Sequence, residues 1–379
     1  MEQRVIHQSF PDPHNHSHRP TVVEYVYSGL EKTLQRYDRL DEELKHVCDL
    51  IATLDRHKGT IGEDESLMQV LSRLGVTRRG LSFADVIVSK TWATDIDRIG
   101  ALSLIREEDK LNESRGEDNY VLKNGQDEMI RRLGANLDIR KGHSVVSVSL
   151  DTSSGTTIRV RTSAGQEFVC DYCVCAVPGD AIKRNEIAFH PPLPPLQRRA
   201  YDTLDFGNCI KVVVTLKRRV WPSDHNLWFC MDSVVSQVWG DPFVPNRITG
   251  WITGTQAVAL REWKAQRIVQ VFLAQLDEIF SVANGLPATQ PLATAEYDEH
   301  CICNWRDSVY SHPTPSLNHS LLSHPHMDRR LLFAGEHAAT NAELGTIDGA
   351  LQSGKAAVDA ILRQLRRSDS GNGNVSNKL

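Results

Sequence analysis

Apolar positions along the chain fall into two alternating periods, helical over long stretches and strand-like over short ones. From Thr21 to Tyr27, β-branched and aromatic residues predict a short strand. Ser28 and Glu31 then have capping-box spacing, and Leu30, Leu34, Tyr37, Leu40, Leu44, Val47, Cys48, Ile51 and Leu54 hold a helical period. This predicts one long amphipathic helix whose stripe packs on a core, or alternatively a partner-binding coiled coil. Ser66 to Gly75 reads as a helix stopped by Gly75, while Phe83 to Leu104 is largely apolar with no settled type. Tyr120 to Gly125 leads into a helix through Leu133, and Val145, Ser147 and Ser149 alternate as a strand. Val160 and the run from Gln166 to Val169 form a hairpin pattern across Ser163-Ala164-Gly165, and Asp171 to Pro178 reads as a buried strand ended by proline. A helix and a strand over Phe206 to Val214 come next. Leu227 to Met231 and Arg247 to Thr253 suit an antiparallel sheet, and Ile268 to Val282 a helix. Finally Leu331-Leu332-Phe333 stops at Ala334-Gly335-Glu336, and Thr346 opens a pattern apolar at Ile347, Ala350, Leu351, Val358, Ile361 and Leu365. That is a strand, a turn and a long helix.

The end of this pattern carries candidate chemistry. A helix N-terminus presents unpaired N–H groups and about half a positive charge, so it suits a ligand group that is or becomes anionic. Gly345, Gly349, Ala350 and Gly354 keep the first turns thin enough for a flat ligand to lie close. The alternative is a C-terminal helix with small residues for tight packing. Leu-Phe-Ala-Gly-Glu-His followed by Thr-Ile-x-Gly-Ala-x-x-Ser-Gly resembles the C-terminal flavin-binding signature of the FAD-dependent amine oxidases, which include monoamine oxidases, polyamine oxidases and flavin-type histone demethylases. The resemblance implies that Gly335, Glu336, Thr346 and Ile347 are cofactor residues, with Glu336 at the ribityl chain. It also implies that the helix start faces the flavin edge that gathers negative charge on reduction.

Further passages extend the likeness from about Asn119 to Leu365. Tyr120 to Ser149 resembles the family's glycine pair, helix and strand, with Asn124 in place of the first glycine. Val145 would approach the adenine end of FAD through its backbone, or else belong to an ordinary edge strand. The order strand, Val177-Pro178, Phe189-x-Pro191-Pro192-Leu193-Pro194, helix, Gly207-x-x-x-Lys211-Val212, Trp221 is similar to the family's middle section. An ammonium on an otherwise apolar strand must find a partner or neutralise. By resemblance Lys211 holds a water against flavin N5 and assists reoxidation by dioxygen; alternatively it snorkels to solvent. Asn304 to Ser311 resembles a shortened aromatic-cage loop, which implies Trp305 and Tyr310 as substrate-side residues. Ala338 and Ala342-Glu343-Leu344 depart from the family's usual residues, so substrate choice does not carry over.

Composition narrows the partners. The chain has 379 residues, 40% hydrophobic, with 43 basic and 48 acidic residues, a net charge of −5 and a pI near 6.3. That leaves no basic footprint for nucleic acid, and no apolar run is long enough to span a bilayer. A cytoplasmic protein is expected, with a peroxisomal or other intracellular location left open. His14-Asn15-His16-Ser17-His18 lacks matching structured ligands, so no metal site is expected. Cys170, Cys173 and Cys175 crowd one predicted strand and Cys301 and Cys303 another, where neighbours do not easily bridge, so reduced, buried thiols are expected.

No Gly-x-Gly-x-x-Gly occurs in the sequence, although the family opens with one. The chain therefore looks like an amine oxidase lacking its first third. The expected fold is α/β (α+β), an amine-oxidase-type two-lobed architecture with a truncated FAD-binding lobe and a substrate lobe of mixed sheet and helices. Expected divisions are a tail over 1–20, the helical part of the substrate domain over 21–118 and FAD-lobe strands over 119–190. The substrate sheet and helices would follow over 191–328, the C-terminal strand and helix over 329–367, and a tail over 368–379. The family reaction is oxidation of a small-molecule amine to an imine with dioxygen as acceptor. The alternatives are a non-catalytic module of this fold, with an oligomer or partner covering its exposed apolar surface, or an incomplete gene model.

Overall fold

The computed structural model describes residues 23–114, 125–153, 156–287, 290–305, 308–339 and 344–372. The histidine-rich tail, Asn124, Ala342 and Glu343 lie outside them. β1 (Val23–Ser28) and β2 (Thr33–Arg36) form an antiparallel hairpin where the sequence predicts the first turns of a long helix. Ser28 does accept a hydrogen bond from the Glu31 N–H at 3.1 Å, but the contact closes a turn in which Lys32 takes φ 53°. Burial of Tyr25 and Tyr27 from the strand outweighs the helical period, and Leu30 is left exposed. The helix is confined to α1 (Glu42–Ala52), capped by Asp41. The helix expected from Ser66 is α2 (Leu67–Arg73), which Ser66 and Gln69 cap reciprocally, and Gly75 follows it at φ 87°. α3 (Arg78–Ala84) runs into a π-helical turn at Asp85–Ser89, a loop, and α4 (Ala101–Ser114).

After α5 (Gln126–Gly134) come β3 (Val145–Asp151), β4 (Thr157–Thr162), β5 (Glu167–Cys170), β6 (Cys173–Cys175), α6 (Gly179–Lys183) and β7 (Ala188–His190). α7 (Pro195–Thr203), β8 (Asp205–Phe206), β9 (Cys209–Leu216), β10 (His225–Met231), β11 (Gln237–Gly240) and β12 (Arg247–Thr253) follow. The chain then forms α8 (Gly254–Leu260), α9 (Ala265–Ala283), α10 (Leu292–Glu296), β13 (Tyr297–Trp305), β14 (Ser311–His312), β15 (Leu331–Phe333) and α11 (Ile347–Asn372). β3 lies between β4 and β7, so it is an inner strand and not an edge. The long strand expected over Asp171 to Pro178 is only the three residues of β6, paired in parallel with β15.

Three cores organise this mixed α/β molecule. The large sheet has the order β13-β9-β12-β11-β10-β1-β2, antiparallel except where β1 meets β10. One face buries Ile210, Val212, Val214, Ile248 and Ile252 against Phe272, Leu276 and Phe280 of α9. At the β10–β1 end the opposite face buries Val26, Leu227, Phe229 and Met231 against the helices between Leu40 and Ile105. A third core joins the β5-β4-β3-β7 sheet to α7 and β15 through Val148, Ile158, Phe189, Tyr201 and Phe333. The strand period predicts these alternations, because successive side chains on a strand point to opposite faces. On β9 the same alternation sends Cys209, Lys211 and Val213 to the face that α9 does not cover. Among the described residues no helix is long and apolar enough to cross a membrane.

Candidate functional site

The C-terminal unit is built as its motif requires. Two residues after β15 ends at Phe333, Gly335 takes a φ of 132° that suits glycine, and an added Cβ there would fall 2.7 Å from the His337 ring. The buried Ser353 hydroxyl, on α11, accepts from the Gly335 N–H at 2.9 Å and lies equally close to the Gly335 carbonyl, tying helix to strand end. Thr346 caps the helix, its Oγ1 accepting from the Gly349 N–H at 2.9 Å. Thr346, Ile347 and Asp348 are exposed, so the first turn stands open. Glu336 turns inward, and its carboxylate accepts from Ser311 Oγ at 2.5 Å and from the Gly345 N–H at 2.9 Å. Burial pushes this carboxyl above its ordinary range, opposed by those donors.

Lys211 occupies a different wall. Its ammonium lies 5.1 Å from the Trp251 ring centroid and 5.8 Å from that of Trp239. Trp251 is its cross-strand neighbour on β12, and Trp305 at the end of β13 meets Trp251 edge-on at 6.4 Å. These residues share the sheet face left between the α9 core and the helical core. Trp305 is 39% exposed, so this face opens to solvent.

One loop joins the two walls. Trp251 Nε1 donates to the Lys90 carbonyl at 3.1 Å, and the Tyr310 hydroxyl donates to the next carbonyl, that of Thr91, at 2.6 Å. Tyr310 also packs on Gly345, and its carbonyl accepts from the Gly207 N–H at 2.9 Å. Ser311 beside it holds Glu336. Lys90 is buried and shared between Asp85, at 3.0 Å, and Asp95, so the π-helical turn is pinned where the carbonyls are needed. The structure thus brings Lys211, Trp305, Tyr310, Gly335, Glu336, Thr346 and Ile347 into one connected unit. Val145 stands apart, half-exposed at the start of β3 in the four-stranded sheet.

Sequence reading missed Trp251, Trp239, Ser311, Ser353 and the 90–91 loop. Trp251 lies in a predicted strand, but that it pairs with the strand of Lys211 is not readable from spacing. The loop lies in the apolar stretch whose type the pattern leaves open. Two buried histidines flank the unit. His337 lies against Gly179 and Tyr201, and His312 hydrogen-bonds Thr94 at 3.2 Å. Burial first of all pushes each imidazole down to about 4, so both are neutral at pH 7.

For a flavin, the residues present fit one end. The open start of α11 would offer N–H donors to the ring edge, and Glu336, in the 3₁₀ turn after β15, has its carboxylate fixed by the Gly345 N–H ahead of that helix. Among the described residues no glycine-rich turn is placed for the pyrophosphate: Gly59 lies in a 3₁₀ helix that ends at Thr60, and the Gly62 N–H is closed on Glu65 at 2.7 Å.

The chain matches the family model described as flavin containing amine oxidoreductase over residues 2–362. It is 28% identical over 257 residues to polyamine oxidase 2 of Arabidopsis thaliana, covering 63% of this chain and 48% of that protein. It is 26% identical over 275 residues to lysine-specific histone demethylase 1 homolog 1 of the same plant, covering 66% of this chain and 30% of that protein. The chain thus spans about half or less of the length of these curated relatives. Among solved structures it resembles cyclohexylamine oxidase from Brevibacterium oxydans IH-35A, with a TM-score of 0.73 at 16% identity over 91% of this chain and 81% of that one. At that identity the likeness shows the fold.

Proposed function

The chain belongs to the family of flavin-containing amine oxidoreductases, and from that premise we propose that it is the amine-binding and flavin-ring-binding part of an FAD-dependent amine oxidase. One observation carries this reading: Trp251 and Tyr310 donate to successive carbonyls, so one loop ties the strand pair that carries Lys211 to the turn that carries Glu336 and Thr346. Glu336, Thr346 and Ile347 would hold the ribityl and ring edge of FAD. Bound there, FAD supplies the two-electron acceptor for a hydride leaving the amine's α-carbon.

The chain's own residues do the rest. The rings of Trp239, Trp251 and Trp305, in contact in that order, would form an aromatic surface on which an alkylamine chain is desolvated, with Tyr310 across the 90–91 loop. Lys211 Nζ would present its hydrogen-bond donors on that surface, which favours reduction of dioxygen through its anionic stages. Of candidate substrates, polyamines and cyclic primary amines agree with the names of the relatives. The test keeps FAD in excess, adds a polyamine or cyclohexylamine without oxygen, and follows bleaching of the flavin band, then admits air and measures hydrogen peroxide. Amine-dependent bleaching with peroxide on reoxidation is expected. Absence of bleaching with every amine would leave the non-catalytic reading, which the exposed apolar stripe Ile347, Leu351, Val358, Leu362 and Leu365 on α11 favours.

A further inference from the structure

Two kinds of side chain sit against ordinary expectation. Cys301 and Cys303 are exposed on β13, which corrects the expectation that the thiols are buried. Lys90 is the opposite case, a lysine only 3% exposed on the loop that follows the π-helical turn. Lysine is almost never fully buried unless it is paired. Its ammonium has three protons and meets three acceptors: Asp85 Oδ2 at 3.0 Å, the Thr94 carbonyl at 3.3 Å, and Asp95 Oδ1. Each proton thus has a partner in the loop or the turn before it, and these partners offset the desolvation of the charge.

Both carboxylates reach beyond Lys90. Asp85 Oδ1 accepts from the Ile96 N–H at 2.9 Å, which clamps the turn to the far end of the loop. Asp95 Oδ2 accepts from the Thr255 N–H at 2.9 Å and from the Thr255 hydroxyl. Thr255 lies in the first turn of α8, four residues after Trp251. Between these anchors the Ala93 carbonyl accepts from the Asn208 N–H at 2.8 Å and the Gly254 N–H at 3.2 Å. Asn208 immediately precedes β9, the strand of Lys211, and Gly254 immediately follows β12, the strand of Trp251. The fit leaves no slack, since a Cβ on Gly207 would stand 2.6 Å from that of Ala93 and one on Gly254 2.7 Å from Asp95 Cγ. The loop is therefore referenced to both strands at once.

We propose that Lys90 is a positioning residue of the amine-binding wall. Through Asp85 and Asp95 it fixes where the carbonyls of residues 90 and 91 stand, and those carbonyls fix the Trp251 indole and the Tyr310 hydroxyl. This rests on the reading of those rings as the amine side of the site, and it gives Lys90 no contact with amine or flavin. Removing the ammonium leaves two part-buried carboxylates facing each other without a cation, so the loop opens toward water and its carbonyls move. Trp251 then loses its acceptor and the aromatic surface is displaced. Amine binding weakens while the groups at the start of α11 are untouched. Losing one such hydrogen bond corresponds to about a tenfold rise in the amine concentration that half-saturates flavin reduction.

The test reads the Trp251 indole directly, in the full chain carrying isotope-labelled tryptophan and free of flavin and amine. In a nitrogen–proton NMR correlation spectrum, Trp251→Phe identifies the Trp251 indole signal by its loss. Lys90→Met should move that signal and speed its exchange with deuterium, while the Trp221 and Trp228 signals, from the core under α9, stay in place. Destabilisation without repositioning would instead speed exchange at all the indoles and move none of them. Asp95→Asn and Thr255→Val disturb the same anchor more gently, so they give the reading if Lys90→Met does not fold. With FAD and amine present, half-saturation should rise about tenfold with the limiting rate of bleaching held within about threefold. A Trp251 signal unmoved in every folded variant would overturn the proposal, and so would a limiting rate that falls while half-saturation holds. Wild-type protein that bleaches with no amine would overturn the amine-oxidising reading instead, and the indole signal still decides whether Lys90 positions Trp251.

Discussion

Lys211 Nζ rests over the Trp251 and Trp239 rings, and among the described residues no carboxylate forms a salt bridge with it. Such contacts contribute about 0.5–2 kcal/mol each, so the ammonium can turn from the Trp251 and Trp239 rings toward a ligand at small cost. Lys211→Met retains the stem and removes the charge. It should slow flavin reoxidation by dioxygen on the order of 10²-fold while leaving anaerobic reduction by amine near normal. Stopped-flow reoxidation at the wild-type rate would reject the role. The buried histidines lead to a pH prediction with a definite sign. His312 and His337 take up protons near 6.5 when unfolded but only near 4 when folded. Stability is therefore present above pH 6.5 and lost as pH falls from 6.5 toward 4, by on the order of 3 kcal/mol per ring at the low end. Glu24, raised to about 7 by burial, runs the other way, its contribution present below about 4.5 and lost as pH rises through 7. The measurement is therefore a difference: urea midpoints for His312→Gln should fall less steeply than wild type between pH 6.5 and 4.5. Parallel slopes would refute the assignment.

α9 is seated on the large sheet by one fitted contact. Gly250 on β12 leaves a notch in which an added Cβ would stand 2.7 Å from the Phe272 ring, with Val235 at 2.9 Å on its flank. Gly250→Ala should destabilise by about 1–3 kcal/mol through overpacking, and a second substitution, Phe272→Leu, should recover part of that loss. Additive losses in urea denaturation would show that the notch is not the cause. Elements of this kind differ in how far their sequence announces them. Gly75 after its helix, and Gly165 in its hairpin turn, take positive φ for reasons that depend on near neighbours alone, so the sequence sufficed. The Leu30 to Leu54 stretch has the helical period and still opens as a hairpin, because Tyr25 and Tyr27 are held by residues of β10 and α9 some two hundred positions away. β6 shows the same limit. Its apolar run is long, yet only the three residues opposite Leu331–Phe333 find a partner strand.

At the scale of the whole molecule, the site was legible where it is contiguous in sequence and obscure where it is assembled. Gly335, Glu336 and Thr346 sit within one motif, whereas Trp251 and Tyr310 meet only through the carbonyls of Lys90 and Thr91, which no spacing rule connects. The same division decides how the chain should treat FAD. On the proposed reading, the C-terminal turn and the start of α11 would supply donors and a carboxylate for the ring and ribityl end. For the pyrophosphate, a glycine-rich strand-to-helix turn would present several N–H groups at once, and no Gly-x-Gly-x-x-Gly occurs in these 379 residues. A phosphate pair so held contributes about 4 kcal/mol or more, so a chain without those contacts binds FAD roughly a thousandfold more weakly than one with them. The chain should therefore accept FAD supplied in excess and lose it when free ligand is removed. To test this, the protein is equilibrated with excess FAD, passed through a desalting column, and its visible spectrum recorded. A colourless protein is expected, with flavin absorbance restored on adding FAD back together with any protein segment that supplies the missing phosphate contacts. A stoichiometric yellow flavin band surviving the column would sink the prediction and show that residues within this chain already hold the whole cofactor.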